Sequence, residues 1–208
     1  MNHDASVLRR RGPALREAVF SATLAEIVSV GVRQTTMAGV AKRASTGKAA
    51  LYRRWPNIDA LVQEVFLETM RNATVAIQVN TGSFSNDIRN FYRSLAHSFN
   101  STWGAALRAL ISDAAHHPEL MLTIRDYMVA DLGNVMQSIL DQAVARSEIT
   151  VETCDPLLLL VAPSIIFHQY MVNQSAPDNS DIDLIVDTIV MPLVLLRSEE
   201  LLVPYGVS

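Results

Sequence analysis

The chain has a single cysteine, which excludes an internal disulfide framework and fits a reducing cytoplasm. It has only eight glycines and eight prolines in 208 residues, and alternating β-branched runs are scarce. An all-α fold is therefore expected, since the apolar positions recur at helical spacing instead. Asp, His or Pro breaks every apolar run before the roughly 20 residues of a membrane span. The N-terminus is polar and charged and lacks the apolar core of a signal peptide. A soluble, cytoplasmic protein with no membrane association is expected. Catalytic signatures are missing as well: there is no Gly-x-Ser-x-Gly, no Cys-His pairing signal, no phosphate loop and no His-Glu-x-x-His. The reading is accordingly of a non-enzyme, with no catalytic residues, no metal and no cofactor.

What is present is apolar bulk and an uneven charge. Half of the residues are hydrophobic, enough for a sizeable core. The net charge of −4 conceals a partition. Residues 1–56 hold ten Lys and Arg against three acids, a surplus of +7, and the remaining residues hold seven against eighteen, −11. A basic module on an acidic body suits a duplex-binding head, because phosphate neutralisation drives non-specific affinity.

The basic module contains the most informative stretch, TTMAGVAKRASTGKAALYRRW over residues 35–55. Met37, Val40, Ala41 and Ala44 fall at i, i+3, i+4, i+7 on one apolar face, with Thr35 or Thr36 available as cap. Ser45, Thr46 and Gly47 break the pattern. A second short helix, residues 48–54, keeps Ala49 and Leu51 for packing and carries the polar heads of Lys48, Tyr52, Arg53 and Arg54. A turn of three or four residues sets two such helices steeply enough for the second to enter a major groove. There Ala49 and Ala50 allow close approach to thymine methyls, Lys48 can reach guanine, and the arginines can grip phosphate.

The segment resembles the helix-turn-helix of the TetR family of bacterial transcriptional repressors, with Ala41, Ala44, Leu51, Tyr52, Trp55, Pro56, Asn57 and Leu61 matching its pattern. The resemblance implies that Thr36 contacts phosphate and that Gly47, Lys48, Ala49, Ala50, Tyr52, Arg53 and Arg54 form the recognition surface. Three positions depart from the family. Ser45 replaces a turn glycine, at about 1–2 kcal/mol if left-handed. Thr46 replaces a valine. Ile58 replaces a phosphate-touching lysine, so Arg53, Arg54 or the N-terminal arginines must supply that charge.

Before the motif, Arg9, Arg10 and Arg11 form a basic arm that either enters a minor groove or is simply solvated, and a helix over residues 13–30 stops at Gly31. After it, Asn57 caps a helix from Ile58 to about Val79, which by the resemblance is the lever between ligand and head. Further helices are expected over residues 87–101, 103–115, 119–147, 156 to about 172, and 181–196. The His116-His117 pair is read as structural or capping rather than metal-binding, and Cys154 as inert packing. The division expected is a DNA-binding domain over residues 1–56 and an effector-binding and dimerisation domain over residues 57–208.

The nearly unbroken apolar face of the last two helices suggests a second buried side, and the resemblance implies a homodimer through them on palindromic double-stranded DNA. It also places a small-molecule effector in the body. Candidate ligand residues are Phe99, Trp103, Met121, Arg125, Met128, Phe167, His168 and Met171, with Phe91, His97 and Tyr170 nearby; for each the alternative is plain core, or a snorkelling arginine. The function expected is a ligand-released repressor, the alternative a ligand-independent or protein-regulated architectural DNA-binding protein.

Overall fold

The computed structural model describes residues 12–75, 77, 79–150 and 156–194. The arm arginines Arg9, Arg10 and Arg11, Cys154, and the end of the expected last helix at residues 195 and 196 lie outside the described residues. All regular structure among the described residues is helical.

Helix α1 (Pro13–Val30) opens on a proline, which suits a position whose N–H has no helical partner. It turns Val19, Ala22, Leu24 and Ile27 inward. Gly31 stops it with φ +83°, a region glycine enters freely, and its N–H donates to the Ile27 carbonyl at 2.8 Å. Helix α2 (Met37–Arg43) docks against α1, and α3 (Lys48–Tyr52) docks against α2. Their shared core is Met37, Val40, Ala41, Ala44, Leu51 and Trp55. The expected α3 ran to Arg54. It ends two residues earlier, because Pro56 disfavours helical backbone at Trp55 and the chain tightens into a turn, Arg54 N–H donating to the Leu51 carbonyl at 2.8 Å.

Helix α4 (Ile58–Val75) is capped as expected by Asn57, whose Oδ1 accepts from the Ala60 N–H at 2.8 Å. It is shorter than expected and buries Leu61, Val62, Val65, Phe66 and Met70. It runs from the three-helix head into a body of α5 (Phe84–Phe99), α6 (Thr102–Ser112), α7 (Pro118–Tyr127), α8 (Gly133–Ala145), α9 (Pro156–Asn173) and α10 (Asn179–Ile185). α5 lies at the middle, touching α6, α8, α9 and α10. Helix α1 also leans directly on α6, so head and body share a second seam.

Helix α5 begins at Phe84 rather than at Asp87. Asp87 is fully buried, where it accepts from the Thr81 N–H and hydroxyl, both at 2.7 Å, and from Arg146 at 3.0 Å. A carboxylate so neutralised ties the loop before α5 to the end of α8. The single long helix expected over residues 119–147 is α7 and α8 joined without a break by a π-helical segment, Met128–Leu132. Helix α10 starts at a capping box made by Asp178 and Asp181 and widens into a second π-helical segment, Val186–Val190. Hydrophobic periodicity fixes which side faces inward, and it is insensitive to one extra residue per turn.

The body core centres on Phe99, stacked between Tyr170 (ring centroids 5.0 Å apart) and Trp103 (6.3 Å), with Phe66 edge-on to Trp103. The α5–α6 turn that makes this possible is tight: a β-carbon on Gly104 would lie 1.9 Å from the Phe99 carbonyl oxygen. Gly104→Ala should therefore force the backbone apart and lower unfolding stability by about 1–3 kcal/mol in urea titrations, whereas Gly133→Ala, whose β-carbon meets open space, should not lower it.

Candidate functional site

At the head, Thr36 caps α2, its hydroxyl oxygen accepting from the Gly39 N–H at 3.0 Å while its own proton stays available to an outside acceptor. Gly47 precedes α3 in extended conformation. At 100° per residue, positions 48, 49, 52 and 53 of α3 share one arc and positions 50 and 51 lie opposite. Burial follows that division. Lys48, Ala49, Tyr52 and Arg53 are exposed, Arg54 follows them, and Ala50 and Leu51 pack inward. Ala50, counted in the recognition surface from sequence, is 8% exposed and belongs to the packing face.

The ionic pairing sets this face apart. Among the described residues, the cations of the body are engaged: Arg71 with Glu68, Arg89 and Arg93 with Asp183, Arg125 with Asp126, Arg146 with Asp87 and Glu148, and Arg108 with the Gln174 carbonyl. Arg33, Lys42, Lys48, Arg53 and Arg54 have no carboxylate partner among the described residues. Both lysines of the chain are in this set. Exposed cations left unneutralised on the head are ready for a polyanion.

In the body, α4, α5, α6 and the first π-helical segment enclose a cavity of about 320 Å³. Its walls are Met70, Ile77, Leu95, Trp103, Met128 and Leu132, and its room comes from small neighbours, Ala73, Ser94, Ser98 and Ser101. Trp103 and Met128 are thus brought together, with His97 at the rim. The other six candidates lie elsewhere. Phe99 is buried in the aromatic stack, and Phe167 and Met171 pack half-buried against the core from α9. Met121 is half-buried on α7, His168 is exposed on α9, and Arg125 is exposed and paired with Asp126 at 2.6 Å. The pair His116 and His117 both face Asp113.

One run of polar contacts leads from head to cavity. The Trp55 indole N–H donates to Glu64 at 2.7 Å, and Arg16 of α1 donates to Glu64 at 2.8 and 3.1 Å and to Glu68 at 3.1 Å. Glu64 first, then Glu68, raise Arg16 above its ordinary range, fixing its charge. Arg71 pairs with Glu68 and sits 5.9 Å over the Tyr127 ring. Burial, then the Asp131 carboxylate, push the Tyr127 hydroxyl up to about 12. Tyr127 is next to Met128, a cavity wall.

Sequence reasoning missed Arg16, Glu64, Glu68 and Arg71: the Arg16 pairs span some fifty residues and leave no local periodicity, and a Glu followed three residues later by an Arg, as at Glu68 and Arg71, is too common on helix faces to mark a site. It also missed the small lining residues. Their signal was legible: Thr69 and Ala73 on α4, and Ser94, Ser98 and Ser101 about one turn apart on and just after α5, are small or short side chains at helical spacing. Large apolar residues mark what fills a core, and small ones mark where it stays open.

Two family models match: that described as bacterial regulatory proteins, tetR family, over residues 19–65, and the tetracyclin repressor-like C-terminal domain over residues 78–189. An uncharacterized HTH-type transcriptional regulator of Mycobacterium tuberculosis is 26% identical over 174 residues, 84% of this chain and 85% of the relative. HTH-type transcriptional regulator AqdR of Rhodococcus erythropolis is 29% identical over 171 residues, 82% and 81% of the two chains. The fold is similar to that of the transcriptional regulator FadR from Bacillus subtilis, solved in complex with stearoyl-CoA, with TM-score 0.66, 15% identity and 86% and 97% coverage.

Ser45 closes the turn between α2 and α3 at φ +52°, the left-handed conformation its position demanded. Ser45→Gly should relieve that strain and raise stability by about 1 kcal/mol, read from the urea midpoint; an unchanged or lower midpoint would count against strain at this turn.

Proposed function

The chain belongs to the TetR family of bacterial regulatory proteins, a family of DNA-binding transcriptional regulators and not enzymes, and on that premise we propose a ligand-released repressor acting in the cytoplasm. Residues 1–56 form its DNA-binding head and residues 57–208 its effector-binding and dimerisation body. The observation that carries this reading is the double use of α4. Glu64 and Glu68 near its middle hold it to the head, and its last turns wall the cavity with Met70, Ala73 and Thr74. A ligand that alters the wall moves the helix that holds the head. No helix among the described residues is long and apolar enough to cross a membrane.

In this reading Lys48, Tyr52 and Arg53 face the major groove with Ala49 close to the bases, Arg54 and Thr36 engage phosphate, and Gly47 lets the backbone approach. A homodimer through α9 and α10 spaces two such faces about 34–36 Å apart, one DNA turn. Support for the dimer is the exposed stripe Leu160, Ser164, His168 and Val172 along α9, together with exposed Leu184 on α10. Exposed Leu160, Val172 and Leu184 are large apolar side chains suited to a partner helix, with Ser164 and His168 between them on the α9 stripe.

Selection of random duplexes by the purified protein at near-physiological salt tests the reading. A two-fold palindrome should emerge, Lys48→Ala and Tyr52→Ala should each weaken it by about 1–3 kcal/mol, and a library of small molecules should contain some that release it. Only salt-sensitive binding to any duplex would move the protein to an architectural role. Leu184→Asp should shift the protein from dimer to monomer in sedimentation and abolish palindrome preference; a dimer that survives it would place the interface elsewhere.

A further inference from the structure

We propose that Lys48 is an acylation site, through which an acyl phosphate takes the head off DNA without using the cavity. The proposal rests on the DNA-binding reading of α3 and adds a second, covalent input to it.

Amine chemistry on the side chains of this protein has few places to go. Of its seventeen Lys and Arg residues, Lys42 and Lys48 are the two lysines and the other fifteen are arginines. A guanidinium stays protonated in proteins, whereas a lysine amine is the ordinary target of acyl transfer. A donor that reacts with side-chain amines therefore modifies the head and leaves the side chains of the body untouched.

Lys48 is also open to attack. It is the first residue of α3, it is exposed, and no carboxylate pairs with it among the described residues. On its N-terminal side a β-carbon built on Gly47 would meet nothing within 4 Å, and on its C-terminal side exposed Ala49 carries only a methyl group. Lys42 is exposed as well, but it stands in the last turn of α2, bordering a cleft with Leu15, Ser45 and Thr46. An acyl phosphate is an anion. The unneutralised Arg33, Lys42, Arg53 and Arg54 on the same head raise its local concentration by the attraction that also serves a polyanion.

The step balances without an oxidant or reductant. The uncharged Lys48 Nζ attacks the acyl carbonyl carbon and a C–N bond forms. The bond from that carbon to the phosphate oxygen breaks, inorganic phosphate leaves with its electron pair, and the nitrogen gives one proton to water. The product is a neutral amide with one N–H donor where the ammonium had three, and it is longer by the acyl group. On α3 it shares an arc with Ala49, Tyr52 and Arg53. Charge is thus removed, and bulk added, on the surface that in our reading faces the major groove.

Partial acetylation of the full-length protein with acetyl phosphate tests this. The treated protein is mixed with a limiting amount of the selected palindrome, bound and free protein are separated, and the occupancy of each lysine is read by mass spectrometry. Acetyl-Lys48 should be depleted at least about fivefold from the bound fraction, more strongly than acetyl-Lys42. Saturating palindrome added before the reagent should protect Lys48. Lys48→Arg, which keeps the charge and removes the amine, should hold whatever affinity it has equally before and after treatment, while Lys42→Arg should stay sensitive. Equal Lys48 occupancy in bound and free protein, Lys48 left unmodified where Lys42 is modified, or sensitivity that persists in Lys48→Arg overturns the proposal. Those results leave the DNA-binding reading standing, whereas untreated protein that selects no palindrome removes that reading before any reagent is added.

Discussion

The Glu64 carboxylate is the contact on which the arrangement of head and body turns. It stands on α4, one of the two helices that run from the head or lean on the body, and it takes hydrogen bonds from Trp55 at the end of the motif and from Arg16 on α1. Arg16 and Glu64 are each more than a third exposed, so the ion pair adds little to stability. Stability comes from the apolar seam beneath, where Val19, Ile27, Leu61 and Val65 are almost wholly buried. What the polar contacts supply is angle. An apolar seam tolerates sliding, whereas three directed hydrogen bonds on one carboxylate hold the three-helix head at one orientation to α4.

The body is built on a different principle. Its centre is a stack of rings that fills space completely, and immediately beside it, on the other side of Trp103, the chain places small residues and leaves space open. Helix packing ordinarily closes such gaps, because every unfilled volume forfeits dispersion contacts. Here Ala73 on α4 meets Ser94 and Ser98 on α5 across the gap, and Ser98 and Thr74 satisfy their own hydroxyls against their own helices. The π-helical segment Met128–Leu132 closes the far side of the cavity, at a point where the helix backbone is already irregular and its next shift needs no regular turn to break.

The sequence told different parts of this with different clarity. The motif was legible residue by residue, because its contacts are local: the Thr36 cap, the Gly31 stop, the left-handed Ser45 and the Asn57 cap are all decided within a few positions. Ala50 was misread only because residue type suggested a base contact and the helix phase, which puts it inward, was not applied. The body's helices were legible as existing and in order, with ends displaced where a tertiary contact overrode the local signal, as at Asp87, buried to bind Thr81 and Arg146 instead of opening a helix. The π-helical segments were invisible, since an apolar stripe survives one extra residue. The cavity was sought among methionines and aromatics, and of the residues named only Trp103, Met128 and the nearby His97 line it; Phe99 shows why the search misleads: the residues best able to grip a ligand are also the best able to grip each other.

The two ends of α4 set a quantitative condition on any switch. A coupling of about 1–3 kcal/mol between cavity and head changes DNA affinity roughly 5–150-fold, and a ligand can deliver only as much as the difference in its own affinity for the two head orientations. The energy in the polar run from Trp55 through Glu64, Glu68 and Arg71 to Tyr127 is of that same small order, since each pair is partly solvated. That match matters. A head locked by deeply buried charges would demand more than one small ligand can supply, and a head held by nothing but apolar contact would have no second orientation to be held in. Partly exposed ion pairs on a helix that also walls a cavity leave the head well oriented and within reach of one modest binding event.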